Sequence, residues 1–173
     1  MPQDALDLLQ KKLDITSLPP PAPESEDAWK YGVPHADMTR LIEYWKTKYE
    51  WRKHEAELNE DLPQFTLPVE VKDHGTFQAH FVWQKAQRAG KDKTIPLLFL
   101  HGWPGHFAEV RKILGPLTNP EGEDDPVFDV VAPSLPGFGF TSTPTKEGFA
   151  HDQYAEVRGT ILLASCHWIN ASS

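Results

Sequence analysis

The sequence predicts an α/β protein in which a helical arm precedes the first strands of a sheet, and two stretches carry that prediction. Thr94 to Leu100 is an apolar run broken only by Pro96, and it stops at His101-Gly102-Trp103-Pro104-Gly105. A run that does not alternate suits a strand buried on both faces, as in the centre of a parallel sheet. Val127 to Ala132 repeats the pattern and ends in a second Gly/Pro loop, Pro133-Ser134-Leu135-Pro136-Gly137-Phe138-Gly139-Phe140. Between the two, Phe107, Val110, Ile113, Leu114 and Leu117 share one helical face. Strand, tight turn and helix in that order form an α/β unit, and its turn lies where such sheets bind ligands, outside the carboxyl ends of the strands.

From the N terminus, Asp4 to Leu13 reads as a short helix with Leu6, Leu9 and Leu13 on one side and Asp4 as its cap. Pro19, Pro20, Pro21 and Pro23 end it and favour an extended spacer along a surface. Met38, Leu41, Ile42, Trp45 and Tyr49 recur at helical spacing, and a second helix, Trp51 to Leu58, is closed by Pro63. Trp45, Tyr49 and Trp51 are expected to pack this pair against other elements. Val69 to Val71 is a short strand, Asp73-His74-Gly75 a hairpin turn, and Thr76 to Gln84 a strand that alternates Phe77, Ala79, Phe81 and Trp83 with Gln78, His80 and Val82. His80, opposite the aromatics, is expected at a surface or a helix interface. Arg88 to Lys93 reads as a polar loop, and Glu121-Gly122-Glu123-Asp124-Asp125 as a solvated acidic loop without the spacing of a calcium site. A helix begins after Asp152 with Tyr154 and Val157, and Gly159 is expected to interrupt it.

The length of 173 residues is that of one domain or of part of a larger one, and a net charge of -8 excludes an electrostatic footprint for nucleic acid. No stretch has the roughly 18 apolar residues of a membrane span, and the acidic start lacks the features of a signal peptide. The expected setting is cytoplasmic or otherwise soluble and intracellular. Cys166, alone, excludes an intramolecular disulfide, and Asn170-Ala171-Ser172 matches a glycosylation acceptor by chance. No metal site is read. Gly137-x-Gly139 lacks the third glycine and the acid of a dinucleotide loop, so no cofactor is expected either.

The first loop carries the candidate chemistry. Backbone N–H groups at Trp103 or nearby, held at fixed positions, stabilise negative charge developing on an oxygen. The His101 side chain is the weaker candidate, since no nucleophile is identifiable as its partner. No Gly-x-Ser-x-Gly elbow is present, because Ser134 has Ala132 and Pro136 where an elbow needs glycines.

Several motifs together make the chain recognisable: Tyr31-Gly32-Val33-Pro34, Trp45 with Tyr49-Glu50-Trp51-Arg52, Glu57-Leu58-Asn59, Pro63-Gln64-Phe65, His80-Phe81, and above all the HGWPG and PSLPGFGF loops. From Trp29 to Val157 the sequence resembles the N-terminal part of the microsomal and juvenile-hormone type epoxide hydrolases, including fungal relatives. The resemblance implies a truncated α/β-hydrolase sheet preceded by an N-terminal helical arm that wraps it. Residues 1–66 are then the arm, 67–157 the first four strands of the hydrolase domain, and 158–173 a divergent tail. It also implies that the backbone N–H of Trp103 contributes to an oxyanion hole and that His101, Gly102 and Pro104 shape it. His106 departs from the serine usual there and places a bulkier ring beside the hole.

In that family an aspartate opens a small apolar epoxide, cap-domain tyrosines donate protons to the epoxide oxygen, and water activated by a histidine and a carboxylate hydrolyses the ester. None of those groups can be placed on these residues. The chain is expected to be inactive by itself, its tail the product of a retained intron or a frameshift. The strand ending at Leu100, central in the family, would become an edge, and exposing four of its large side chains forfeits roughly 6–12 kcal/mol of burial. The alternatives are another hydrolase chemistry on haloalkanes or esters, or a non-catalytic form that binds a partner, including self-association with a full-length copy.

Overall fold

The computed structural model describes residues 1–23, 27–87 and 94–171, with side chains to residue 165. The Arg88–Lys93 loop and the side chains of Cys166, His167, Trp168 and the glycosylation triplet lie outside what is described. The chain divides into two compact units, Met1–His54 and Glu55–Ser173.

The first unit is helical. Helix α1 runs Gln3–Asp14 with Pro2, not Asp4, at its N-cap. Proline suits the boundary because a first-turn N–H has no helical partner in any case. Asp4 falls in the first turn and accepts the Ala5 N–H at 3.0 Å, next to the positive end of the helix dipole. Helix α2, His35–Thr47, contains no buried residue, and Trp45 is 43% exposed, so the packing expected of Trp45 is not found. Helix α3, Trp51–Asp61, starts in this unit, where Arg52 donates to the Met1 carbonyl at 2.8 Å and to Gln3 Oε1 at 3.1 Å. The Pro-rich segment and the following connector line a groove of about 330 Å³ with Leu18, Pro19, Tyr31, Val33 and Met38.

The second unit is an open four-stranded sheet in the order β1-β2-β4-β3, with β1 Gln64–Val71, β2 Gly75–Gln84, β3 Ile95–Leu98 and β4 Phe128–Pro133. Strands β1, β2 and β4 are antiparallel neighbours, and β3 pairs parallel with β4. Strand β1 begins at Gln64, well before the expected Val69, and runs through Pro68. Pro68 is tolerated there because its cross-strand partner Gln78 directs both backbone groups the other way, to Ser142 at 3.0 and 3.1 Å. The missing proline N–H therefore faces an open edge and removes no ladder bond. The hairpin turn forms where expected, with Asp73 and Gly75 at φ 64° and 86°.

Both faces of the sheet are covered. Helix α5, His151–Ala171, lays Val157 and Ile161 on Val69, Val71, Phe77, Ala79, Phe81 and Val131. It passes Gly159 without a break, contrary to the interruption expected. Gly159 lies off the i, i+4 line of Val157, Ile161 and Ser165 that meets the core, so it costs helix propensity, about 1 kcal/mol, and no packing. On the other face a 3-10 turn, Phe107–Val110, leads into α4, Arg111–Thr118. Phe107, Val110 and Leu114 pack there with Leu62, Val82, Val130 and Ala132. The tighter first turn shifts the helical phase, so Thr118 turns inward while Ile113, expected on the apolar face, is 40% exposed. Among the described residues no helix is long and apolar enough to cross a membrane.

Candidate functional site

The parallel pair β3 and β4 delivers its two Gly/Pro loops to the same sheet edge, and His101 fastens one to the other. Its Nε2 accepts the Leu135 N–H at 3.1 Å, so that nitrogen carries no proton, and Nδ1–H donates to the Gly102 carbonyl at 3.0 Å. The ring is 4% exposed and rests edge-on against Phe138, with centroids 5.2 Å apart. Both ring nitrogens are thus committed to the backbone, which assigns His101 the work of holding loops.

That bond fixes a peptide plane. The Gly102 carbonyl belongs to the same unit as the Trp103 N–H, and in a trans peptide the two point in opposite directions. The cis bond of the loop is the next one, Trp103–Pro104. Gripping the carbonyl inward therefore turns the Trp103 N–H outward, and among the described residues no group accepts a hydrogen bond from it. The Trp103 indole is 84% exposed. Gly105 is needed for the tight path: a Cβ there would come within 2.8 Å of the Gly102 carbonyl and collide with Glu109 Oε1.

His106 caps the turn that follows. Its Nδ1 accepts the Ala108 N–H at 3.3 Å, while Glu109 Oε1 accepts the His106 N–H at 3.0 Å, a reciprocal capping box with histidine in the role of a serine or threonine. The signal is legible as His106-x-x-Glu109, but histidine is not a usual cap.

Of the two places expected for His80, a surface or a helix interface, the structure shows the second, against the 3-10 turn at Phe107. His80 is 3% exposed, enclosed edge-on by Phe107 and Phe140 at 4.7 and 5.2 Å, and burial pushes its pKa down from 6.5 to about 4. Gln64 donates to Asn59 Oδ1 at 3.0 Å, which leaves Gln64 Oε1 to accept His80 Nε2–H at 3.0 Å. His80 Nδ1 then accepts the Ser134 hydroxyl at 2.8 Å. Ser134, which its sequence neighbours exclude as an elbow nucleophile, is 1% exposed and belongs to this buried pair. Leu135 and Phe138, which hold His101, carry no chemical signal in the sequence: one acts through its backbone, the other as a ring. Among the described residues no three His, Cys, Asp or Glu side chains gather as metal ligands would.

Comparisons with known proteins point to one family. The family described as "Epoxide hydrolase N terminus" matches residues 1–110, and the "alpha/beta hydrolase fold" family matches 95–165. A putative epoxide hydrolase of Stigmatella aurantiaca is 34% identical, over 98% of this chain and 37% of its own length. Epoxide hydrolase 1 of Sus scrofa is 35% identical, over 90% of this chain and 33% of its own. Among solved structures, an enantioselective mutant of the epoxide hydrolase from Aspergillus niger superposes with a TM-score of 0.76 at 30% identity, over 94% of this chain and 41% of that one. The chain belongs to the epoxide hydrolase N-terminus family, in the epoxide hydrolase branch of the α/β hydrolases. It spans about a third to two fifths of the length of these relatives and corresponds to their N-terminal portion.

Proposed function

We propose that the intact protein carrying these residues hydrolyses an epoxide to a vicinal diol through an aspartyl ester, with the Trp103 N–H as an oxyanion donor. The observation that supports this reading is the Gly102–Trp103 peptide, held by His101 with its N–H outward at the sheet edge where hydrolases place their reacting groups. In the first step an aspartate oxygen attacks one epoxide carbon, the carbon–oxygen bond breaks, and the ring oxygen takes a proton from an acid. In the second, water loses a proton to a base and adds to the ester carbonyl. The oxygen of that tetrahedral intermediate takes up negative charge, and a donor fixed beforehand needs no reorganisation to meet it. Collapse breaks the ester carbon–oxygen bond; of the two protons that water brought, one goes to the departing diol oxygen and the other returns to the acid, which restores the aspartate carboxylate. Pro104 shapes the turn that presents the donor.

Residues 1–173 supply the donor and contain none of the elbow, acid or base, so by themselves they are inactive in this reading. The substrate is a small apolar epoxide and no cofactor takes part. Steady-state assay of the intact protein against an aryl epoxide, a haloalkane and an aryl ester tests it. Diol formation from the epoxide, with slow or no turnover of the other two, is expected; turnover confined to the haloalkane or ester would overturn it.

A further inference from the structure

Between the sheet and the two loops lies a polar cluster that the hydrolytic reading leaves unused. His80 sits in the middle of β2, and all four of its polar groups bind elsewhere than the β1 ladder. Its N–H goes to Thr141 Oγ1 at 2.9 Å, its carbonyl accepts the Ser134 N–H at 2.9 Å, and its ring joins the Ser134 hydroxyl to Gln64. Thr141 Oγ1 in turn donates to the Ser134 carbonyl at 2.8 Å. One residue of the sheet thereby grips both ends of the loop 134–141. Gly139, at φ 53°, lets the chain close over the node, since a Cβ there would lie 2.7 Å from Ser134 Oγ.

The next residue in the chain is Leu135, whose N–H binds His101 Nε2. A connected path therefore runs from the His80 ring through Ser134 and Leu135 to His101, and from His101 Nδ1–H to the Gly102 carbonyl. Each link is a hydrogen bond or one covalent step, and the path ends on the peptide that carries the Trp103 N–H. The rings on either side, Phe107 and Phe140, keep water from offering His80 and Ser134 other partners.

We propose that His80 is a positioning residue for the oxyanion donor: through Ser134 it sets the loop that fixes the tautomer of His101 and so the plane of the Gly102–Trp103 peptide. The proposal rests on the reading of Trp103 N–H as that donor, while its structural half stands independently. Nothing in it requires His80 or Ser134 to touch substrate, and the enclosed node has no role as a nucleophile.

The test is Ser134→Ala in the intact protein, with histidine ring nitrogens labelled with 15N and epoxide turnover measured in parallel. Thr141→Val, which loosens the same loop from its other end, is the second variant should the first fail to fold. The parent is expected to show a single Nδ1–H tautomer at His101, as its two backbone partners require. The variants are expected to show a mixture of tautomers at His101 and a kcat lower by about tenfold or more at little-changed KM, as misplacement of a reacting group produces. An unchanged His101 spectrum in folded variants would overturn the positioning role. A changed spectrum with unchanged kcat would uphold the link from His80 to His101 and overturn the oxyanion reading beneath it.

Discussion

At the scale of single residues, the buried imidazole of His80 makes stability depend on pH in a defined window. Its value is lowered from 6.5 to about 4 by burial, and no group hydrogen-bonded to the ring or stacked on it carries a charge. Between those values the unfolded chain binds a proton that the folded chain does not, so stability falls as pH drops from 6.5 to about 4 and levels off below. The loss amounts to about 3 kcal/mol, and denaturant titrations across that range check it, with His80→Asn expected to flatten the curve. For His101 the expectation is catalytic. Replacing it with alanine in the intact protein frees the Gly102–Trp103 plane and lowers kcat by roughly 100-fold, whereas Trp103→Phe retains the backbone N–H and changes kcat by only a few fold. The sequence leaves His80 open between a surface and a helix interface because alternation along a strand ordinarily signals one wet face. Val82, apolar and on the same face as His80, is the sign that this part of β2 is covered on both sides.

At the scale of elements, the 3-10 turn and the edge strand each make a prediction. His106→Ala removes the side-chain acceptor from the turn at Phe107 and is expected to cost about 0.5–2 kcal/mol, with His106→Ser close to the parent, as chemical denaturation would show. Strand β3 ends the sheet with Ile95 46% exposed on it and Leu100, just past its end, 38% exposed. A flat apolar edge invites pairing with other chains. Residues 1–173 expressed alone are therefore expected to melt broadly and to aggregate, and Ile95→Lys to reduce the aggregation measured by light scattering; a sharp, reversible melt of the monomer would contradict this. The strands at residues 95 and 128 are legible because a short apolar run bounded by Gly/Pro loops is too brief for a helix and too apolar for a solvated loop. The early start of β1 is not, because Pro68 argues against a strand until the edge position and the outward direction of its nitrogen are known.

At the scale of the whole molecule, the order of elements and the family are legible in the sequence, through loops whose glycines and prolines are dictated by backbone path. The wiring between the loops is not. His101, Leu135, Ser134 and His80 lie on separate strands or loops, and their hydrogen bonds exist only once β2, β3 and β4 are assembled. The start of helix α5 is legible but its continuation past Gly159 is hidden for a different reason: Gly159 breaks the propensity pattern, while packing of Val157 and Ile161 overrides it. The proposed aspartyl-ester route, to which this wiring would contribute one donor, is tested most directly by a single turnover of epoxide in 18O-labelled water with the intact protein in excess. The route predicts diol free of label in that first turnover and label in the nucleophilic aspartate, because the oxygen added to the epoxide comes from the carboxylate. Label appearing in the diol at once would mean direct attack by water and would contradict it.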